Sequence, residues 1–225
     1  MTQHVIIVIG TSSVGKSTLI KEMIKNDNNL VQLGVDFIWN ELAQLDNTFY
    51  KLSRTTKLKL VYVELIKRVK KILKETKNNI ITDDISNNII DLFNDNNIKI
   101  KTVFLYTSLK KLFTNTKKRT LEDGRRDVSQ ILNCFGALYK SSIDKQPDTI
   151  MKIKYSDLVD FMNLEKSSNL KLTDDKINKF VQKIAKKLKI PNDNSIVYLI
   201  PKIKYDFIIN FNIKHIKDII KTITI

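Results

Sequence analysis

The run Gly10-Thr11-Ser12-Ser13-Val14-Gly15-Lys16-Ser17 constrains the fold of this chain more than any other feature. It satisfies the spacing G-x-x-x-x-G-K-[ST], in which glycines let a loop wrap so that backbone N–H groups point at phosphate oxygens. β-branched residues fill positions 5–9 just before it, and helical spacing follows over residues 17–24. A buried strand, a glycine turn and a helix in this order are the context that the motif requires, so we predict a nucleotide-binding loop here.

The motif assigns roles to individual residues of this loop. Lys16 is expected to bridge the β- and γ-phosphates, and the Ser17 hydroxyl is expected to bind Mg²⁺. ATP and Mg²⁺ are therefore the expected cofactors, although the residues do not distinguish ATP from GTP. The expected nucleotide contacts are Gly10, Thr11, Ser12, Ser13, Val14, Gly15, Lys16, Ser17 and Thr18.

Strand and helix patterns alternate along the rest of the chain. Apolar, β-branched runs predict strands over residues 3–9, 30–35, 79–82, 101–106 and 149–154. Helical spacing predicts helices between them, the longest over residues 57–75. This alternation predicts an α/β protein with a P-loop NTPase fold, in which helices cover both faces of a mainly parallel five-stranded sheet. We expect this core to span residues 1–165, followed by a small α+β extension of unknown role over residues 170–225.

The composition limits the possible partners. The chain has 225 residues and a formal net charge of +15, from 39 Lys and Arg against 24 Asp and Glu. Such a charge suits nucleic-acid binding, but the excess of Lys, Asn and Ile is also what an A+T-rich coding sequence produces. We favour coding bias, so a nucleic acid ranks behind a small molecule as the partner. The composition says nothing about oligomeric state.

The sequence also bears on the compartment. No stretch is apolar enough to predict a membrane span, and the apolar residues 5–9 run straight into a glycine rather than into a cleavage site. Cys134 is the one cysteine and can form no disulfide within the chain. These features favour a cytoplasmic protein and leave delivery into a host cell open.

Three segments resemble a known family. Residues 9–19 and the run Leu33-Gly34-Val35-Asp36-Phe37 resemble the chloramphenicol phosphotransferase-like group of P-loop kinases, and the acidic pair Asp83-Asp84 resembles the end of that group's third strand. The resemblance covers roughly the first 160 residues and does not reach the C-terminal segment. It implies transfer of the γ-phosphate of ATP to a hydroxyl group of a small molecule.

The resemblance implies roles for three carboxylates. Asp36 would sit beside the acceptor hydroxyl as its base, and a cap of the helix that follows is the alternative. Asp83 or Asp84 would organise Mg²⁺, and spacing alone does not decide between them. Four aromatic residues nearby could line an acceptor pocket or, as we favour, pack in the core: Phe37, Trp39, Phe49 and Tyr50.

Three of the five arginines of the chain, Arg119, Arg125 and Arg126, lie within eight residues of one another. Phosphoryl transfer spreads negative charge over equatorial oxygens, which arginines on a closing segment can stabilise while they exclude water. In a chain that otherwise uses lysine, retained arginine suggests bidentate contacts. We predict a catalytic lid here, and a solvated charged loop is the alternative.

Together these features predict an ATP-dependent phosphotransferase with a small-molecule hydroxyl acceptor. Two alternatives remain. One is a kinase that acts on a nucleic-acid 5′-hydroxyl or a nucleotide sugar. The other is a binding protein that nucleotide switches without catalysis, in which the C-terminal segment would hold the partner.

Overall fold

The computed structural model describes residues 3–76, 78–83, 87–123, 128–166, 173–211 and 216–224. Within them the strands are β1 (His4–Gly10), β2 (Leu30–Gln32), β3 (Asn79–Thr82), β4 (Lys99–Tyr106), β5 (Tyr139–Ser142), β6 (Met151–Ile153), β7 (Val197–Pro201) and β8 (Phe207–Asn210). The α-helices are α1 (Lys16–Asn26), α2 (Val35–Leu45), α3 (Arg54–Glu75), α4 (Asn87–Asp95), α5 (Leu109–Asp123), α6 (Val128–Leu138), α7 (Tyr155–Lys166), α8 (Asp174–Lys187) and α9 (Ile216–Thr224). Phe49–Lys51 forms a 3₁₀ turn.

Five strands form a parallel sheet in the order β2-β3-β1-β4-β8. β1 lies at its centre, where Val5 pairs with Ile80 on one side and Ile100 on the other. The five apolar side chains of β1 are at most 7% exposed, since helices cover both faces of the sheet. The predicted α/β fold class and mainly parallel sheet are therefore confirmed.

The fifth strand of this sheet is not the one that the sequence predicts. β6 falls within the predicted strand at residues 149–154, but it pairs antiparallel with β7 in a separate sheet of order β5-β7-β6. β8 instead pairs with β4, with Val103 opposite Phe207. An apolar, extended run predicts a strand but not its partner, because either sheet buries the same side chains.

Two element boundaries also differ from the sequence expectation. β2 ends at Gln32 and α2 begins at Val35, so Asp36 lies in the first turn of a helix rather than at a strand end. Helical spacing predicts a helix over residues 128–139, but α6 ends at Leu138 and Tyr139 starts β5. Each difference falls where apolar residues continue across a junction, a pattern that leaves the boundary undefined.

The C-terminal segment packs on the parallel sheet. At the start of β8, Asp206 accepts hydrogen bonds from the backbone N–H of Thr102 (2.6 Å) and from Thr102 Oγ1 (2.8 Å). In α9, Ile219 and Ile223 are fully buried. Lys101 Nζ donates to the carbonyl of Ile223 at 3.1 Å. β8 and α9 thus belong to the same core as β1 and β4.

An ionic cluster joins α2 to α3. Arg68 donates to Glu64 Oε1 at 2.8 Å and to Glu41 Oε2 on α2. The hydrogen bond to Arg68 lowers the pKa of Glu64 below its usual value, against an opposing effect of burial. Through Arg68, these ion pairs connect α3 to Glu41 of α2.

None of the helices in the described part of the chain is long and apolar enough to cross a bilayer.

Candidate functional site

The phosphate loop, residues 10–17, connects β1 to α1 and turns at two glycines. A Cβ on Gly10 would lie 2.6 Å from the carbonyl oxygen of Leu105 on β4. Gly15 has φ 112°, and a Cβ there would lie 2.6 Å from the ring of Phe211. Only glycine satisfies both the conformation and the space at position 15. The two glycines of the motif are therefore required by the packing of the loop.

Lys16 is anchored to the loop that precedes it. Its Nζ donates to the carbonyl of Gly10 at 3.0 Å and to that of Thr11 at 3.1 Å. These contacts hold the ammonium group at the loop rather than in solvent. They place a positive charge beside the start of α1, whose first N–H groups have no acceptor within the helix.

The donors at the start of α1 suit an anionic ligand with a hard cation. α1 carries no acidic residue in its first turn, and the structure describes the whole of this helix. Ser17 and Thr18 in that turn are exposed, so the Ser17 hydroxyl is accessible to a metal ion. Backbone N–H groups, one lysine and an exposed hydroxyl are what phosphate groups and Mg²⁺ require. The residues present therefore fit a magnesium–nucleotide complex.

Asp83 lies at the same edge of the sheet. It directly follows β3, and its Oδ1 lies close to Gly34. A Cβ on Gly34 would be 2.8 Å from this oxygen. The N–H of Leu33 donates to the carbonyl of Ile81 at 3.0 Å, which keeps the ends of β2 and β3 together. Because parallel strands end at one edge, the Asp83 carboxylate and the phosphate loop share that edge. Asp84 lies outside the described residues.

Asp36 is exposed in the first turn of α2, two residues after Gly34. The helix begins with Gly34 as its N-cap, so Asp36 is not the capping residue itself. A carboxylate in the first turn still stabilises a helix through its dipole. The structure thus places Asp36 at the edge that carries Asp83 and the phosphate loop, while its helix-stabilising role remains compatible with that position.

The arginine segment is described only in part. Arg119 lies within α5, one turn beyond Thr116, but the position of its side chain is not among the described features. Arg125 and Arg126 lie outside the described residues. The lid therefore remains a prediction from the sequence.

Two side chains of α5 bind the phosphate loop, and sequence reasoning missed both. Asn115 Nδ2 donates to the carbonyl of Ser13 at 2.8 Å. Thr116 Oγ1 lies 2.9 Å from Ser13 Oγ. Ser13 is 102 residues before Asn115, so no local pattern could have indicated the contact. The sequence gives one sign of this contact: Asn115 and Thr116 are polar, although they lie on the side of α5 that should face the core.

Phe211 is a third residue at the phosphate loop that sequence reasoning missed. It follows β8, its N–H donates to the carbonyl of Tyr106 at 2.9 Å, and its ring lies against Gly15. The C-terminal segment therefore contributes a side chain to the surroundings of the phosphate loop. No motif marked this residue.

The aromatic residues near Asp36 divide between core and surface. Trp39 and Phe49 pack edge to face with their ring centroids 5.4 Å apart, and Phe49 is buried. Phe37 and Tyr50 are 37% and 66% exposed. A cleft of about 510 Å³ borders Phe37, Leu33 and Arg68, next to the start of α2. The first pair packs in the core, as favoured, whereas Phe37 faces a cavity of small-molecule size.

Comparison with known proteins finds distant structural similarity and no significant similarity in sequence. No family model matches the chain, and no curated protein is significantly similar to it. A chain of the Pnkp1/Rnl/Hen1 RNA repair complex is 19% identical over 56% of this chain, with TM-score 0.45, and this chain spans only 40% of its length. A gluconokinase from Sinorhizobium meliloti is 9% identical over 97% of this chain and 87% of its own, with TM-score 0.39.

A shikimate kinase from Bacteroides thetaiotaomicron is 15% identical over 83% of this chain and 99% of its own, with TM-score 0.38. All three TM-scores lie below 0.5, so these structures carry no argument about activity. The P-loop type of α/β fold rests on the strand order β2-β3-β1-β4-β8 and on the loop between β1 and α1.

Proposed function

We propose that this protein is an ATP-dependent phosphotransferase that moves the γ-phosphate to a hydroxyl group of a small-molecule acceptor. The observation that carries the proposal is the phosphate loop, in which Gly10 and Gly15 allow close packing and Lys16 is held at the loop by two carbonyl groups. The resemblance of residues 33–37 to the chloramphenicol phosphotransferase-like kinases supports an alcohol as acceptor.

Each residue of the site has a distinct task in this proposal. The loop N–H groups and Lys16 would bind the phosphates. Ser17 would bind the metal ion, and Asp83 or Asp84 would help to position that ion. When bound, magnesium–ATP supplies the electrophilic γ-phosphorus and a leaving group whose charge the metal neutralises. Asp36 accepts the proton of the acceptor hydroxyl, which raises the nucleophilicity of its oxygen. Arg119, Arg125 and Arg126 close over the site and exclude water.

The first experiment tests nucleotide binding through Lys16. Lys16→Ala removes a charged donor, so we expect binding of magnesium–ATP to weaken about ten- to a hundredfold, measured by calorimetry. Lys21→Ala is the matched control, because Lys21 is an exposed lysine of the same helix. Equal binding by the wild type and Lys16→Ala would refute the site.

The second step identifies the acceptor. The wild type is incubated with magnesium–ATP and a pool of hydroxyl compounds that includes sugars, aromatic alcohols, a nucleotide sugar and a 5′-hydroxyl oligonucleotide. A phosphorylated product from the small molecules, lost in Lys16→Ala, supports the proposal. If only the oligonucleotide or only the nucleotide sugar is phosphorylated, that compound is the acceptor and the proposed small-molecule alcohol is not. Tight binding without any product would favour the nucleotide-switched binding protein.

A further inference from the structure

Ser13 occupies an unusual position in the phosphate loop. It has φ 62°, in the left-handed region, although it is not a glycine. Non-glycine residues adopt this conformation only where surrounding contacts stabilise it. Ser13 is 7% exposed, so those contacts come from the protein and not from solvent.

The stabilising contacts come from α5. Asn115 Nδ2 donates to the Ser13 carbonyl at 2.8 Å, and Thr116 Oγ1 lies 2.9 Å from Ser13 Oγ. Thr116 is itself 6% exposed, and its Oγ1 donates to the carbonyl of Leu112 at 2.9 Å. The carbonyl group and the hydroxyl group of Ser13 are therefore both bound by α5.

The same helix leads to the arginine segment. Arg119 lies three residues after Thr116 on α5, and Arg125 and Arg126 follow the end of that helix. The contacts with Ser13 therefore hold α5 against the phosphate loop. Preorganisation of this kind lowers the entropy lost when a ligand binds.

We propose that Asn115 and Thr116 are positioning residues, which hold Ser13 in its left-handed conformation and so keep the phosphate loop preformed for phosphate groups. The proposal rests on the proposed function, since it assumes that this loop binds a nucleotide. In this proposal both residues act on the nucleotide site through their contacts with Ser13.

The chain offers a matched control for Thr116. Thr114 lies on the same helix, and its Oγ1 donates to the carbonyl of Lys110 at 3.0 Å, in the same way as Thr116 donates to Leu112. Thr114 is exposed and pairs only with its own helix in the contacts of the described residues. Thr114→Val therefore removes the intrahelical bond alone, whereas Thr116→Val removes that bond together with the contact to the loop.

The experiment measures binding of magnesium–ATP and of inorganic tripolyphosphate to the full-length chain by calorimetry. Thr116→Val should weaken the binding of both ligands about three- to tenfold, because it acts where the phosphates bind. Thr114→Val should bind as the wild type does, and Thr116→Ser, which keeps the hydroxyl, should restore binding. Asn115→Ala, at a half-buried site, should also weaken binding, and it tests the proposal if Thr116→Val does not fold.

A double-mutant cycle with Ser13→Ala tests whether Thr116 acts through Ser13. If it does, the double variant binds no more weakly than the weaker single variant. Additive losses would overturn the proposal, as would equal binding by the wild type and Thr116→Val. A lower melting temperature of Thr116→Val with unchanged nucleotide affinity would show a purely structural role and would also overturn it.

The two proposals fail in different ways. If the wild type binds nucleotide through Lys16 and the Asn115 and Thr116 variants bind equally well, only the positioning role is refuted. If the wild type binds neither magnesium–ATP nor tripolyphosphate, the proposed function fails and the positioning role fails with it.

Discussion

At the scale of single residues, the site depends on positions that tolerate no side chain and on positions that require one. Gly15 shows the first kind, because φ 112° and the neighbouring ring of Phe211 both exclude a Cβ. Asp36 would be of the second kind, because in the proposed mechanism its carboxylate takes the proton of the acceptor hydroxyl. Its exposure in the first turn of α2 leaves it accessible to a ligand.

Asp36→Asn separates the two roles of this residue. The amide cannot accept a proton from the acceptor, so we expect phosphate transfer to fall about 10²- to 10⁴-fold while nucleotide affinity stays unchanged. Rates with saturating ATP and a calorimetric titration measure the two effects. Unchanged transfer with a slightly lower melting temperature would mean that Asp36 serves only the start of α2.

At the scale of secondary structure elements, the carboxylate of Asp206 stabilises the pairing of β8 with β4 at the edge of the parallel sheet. The pKa of Asp206 is affected most by desolvation, which raises it, but hydrogen bonds from the Thr102 N–H and Oγ1 outweigh this and lower it overall. Asp206 N–H also donates back to Thr102 Oγ1 at 3.0 Å. These three hydrogen bonds fix the register in which β8 joins β4.

Asp206→Asn should destabilise the protein in a pH-dependent way. A carboxylate with a lowered pKa stabilises the folded state above its unfolded pKa, near 3.8, and this contribution disappears as the pH falls through its folded pKa. At pH 7 we expect a loss of about 1 kcal/mol, or roughly 2–4 °C in melting temperature. The difference from the wild type should shrink in melts recorded below about pH 4.

Asp148→Asn is the control for this series, because Asp148 is an exposed carboxylate in the loop before β6. A difference between Asp206→Asn and the wild type that stays constant down to pH 2.5 would contradict the role of the Asp206 charge.

At the scale of the whole molecule, the C-terminal segment supports the sheet that carries the site. Ile209, Ile219 and Ile223 are at most 3% exposed, and the Tyr205 ring stacks on Phe104 of β4 at a centroid distance of 4.7 Å. Burial of three isoleucines contributes about 5 kcal/mol or more, which is comparable to the total stability of a domain.

Truncation after Lys204 should therefore prevent stable folding. The shortened chain lacks β8, α9 and Phe211, so we expect no cooperative melting transition by circular dichroism and rapid proteolysis. A shortened chain that melts as the wild type does would support a separable core of residues 1–165, as the sequence suggested. Such a result would also show that the fold does not need the contact between Phe211 and Gly15.

The sequence by itself determined the local features of this protein. The loop of residues 10–17, the strand before it and the helix after it follow from glycine spacing and β-branched residues, which act within a few residues of one another. The α/β class follows from alternating patterns, and β3 and β4 were predicted to within two residues at each end. Asp36 and Asp83 became candidates through the resemblance of their segments to the chloramphenicol phosphotransferase-like kinases, and their roles stay predictions.

Only the tertiary structure decided which of these elements meet. The choice of β8 over β6 as the fifth strand, the contact of Ser13 with α5 and that of Gly15 with Phe211 join residues about a hundred or more positions apart. Local patterns carry no information on such pairs, because several partners would bury the same apolar surface or satisfy the same polar groups. Packing of the complete chain selects among them, and it brings Asn115, Thr116 and Phe211 to the phosphate loop.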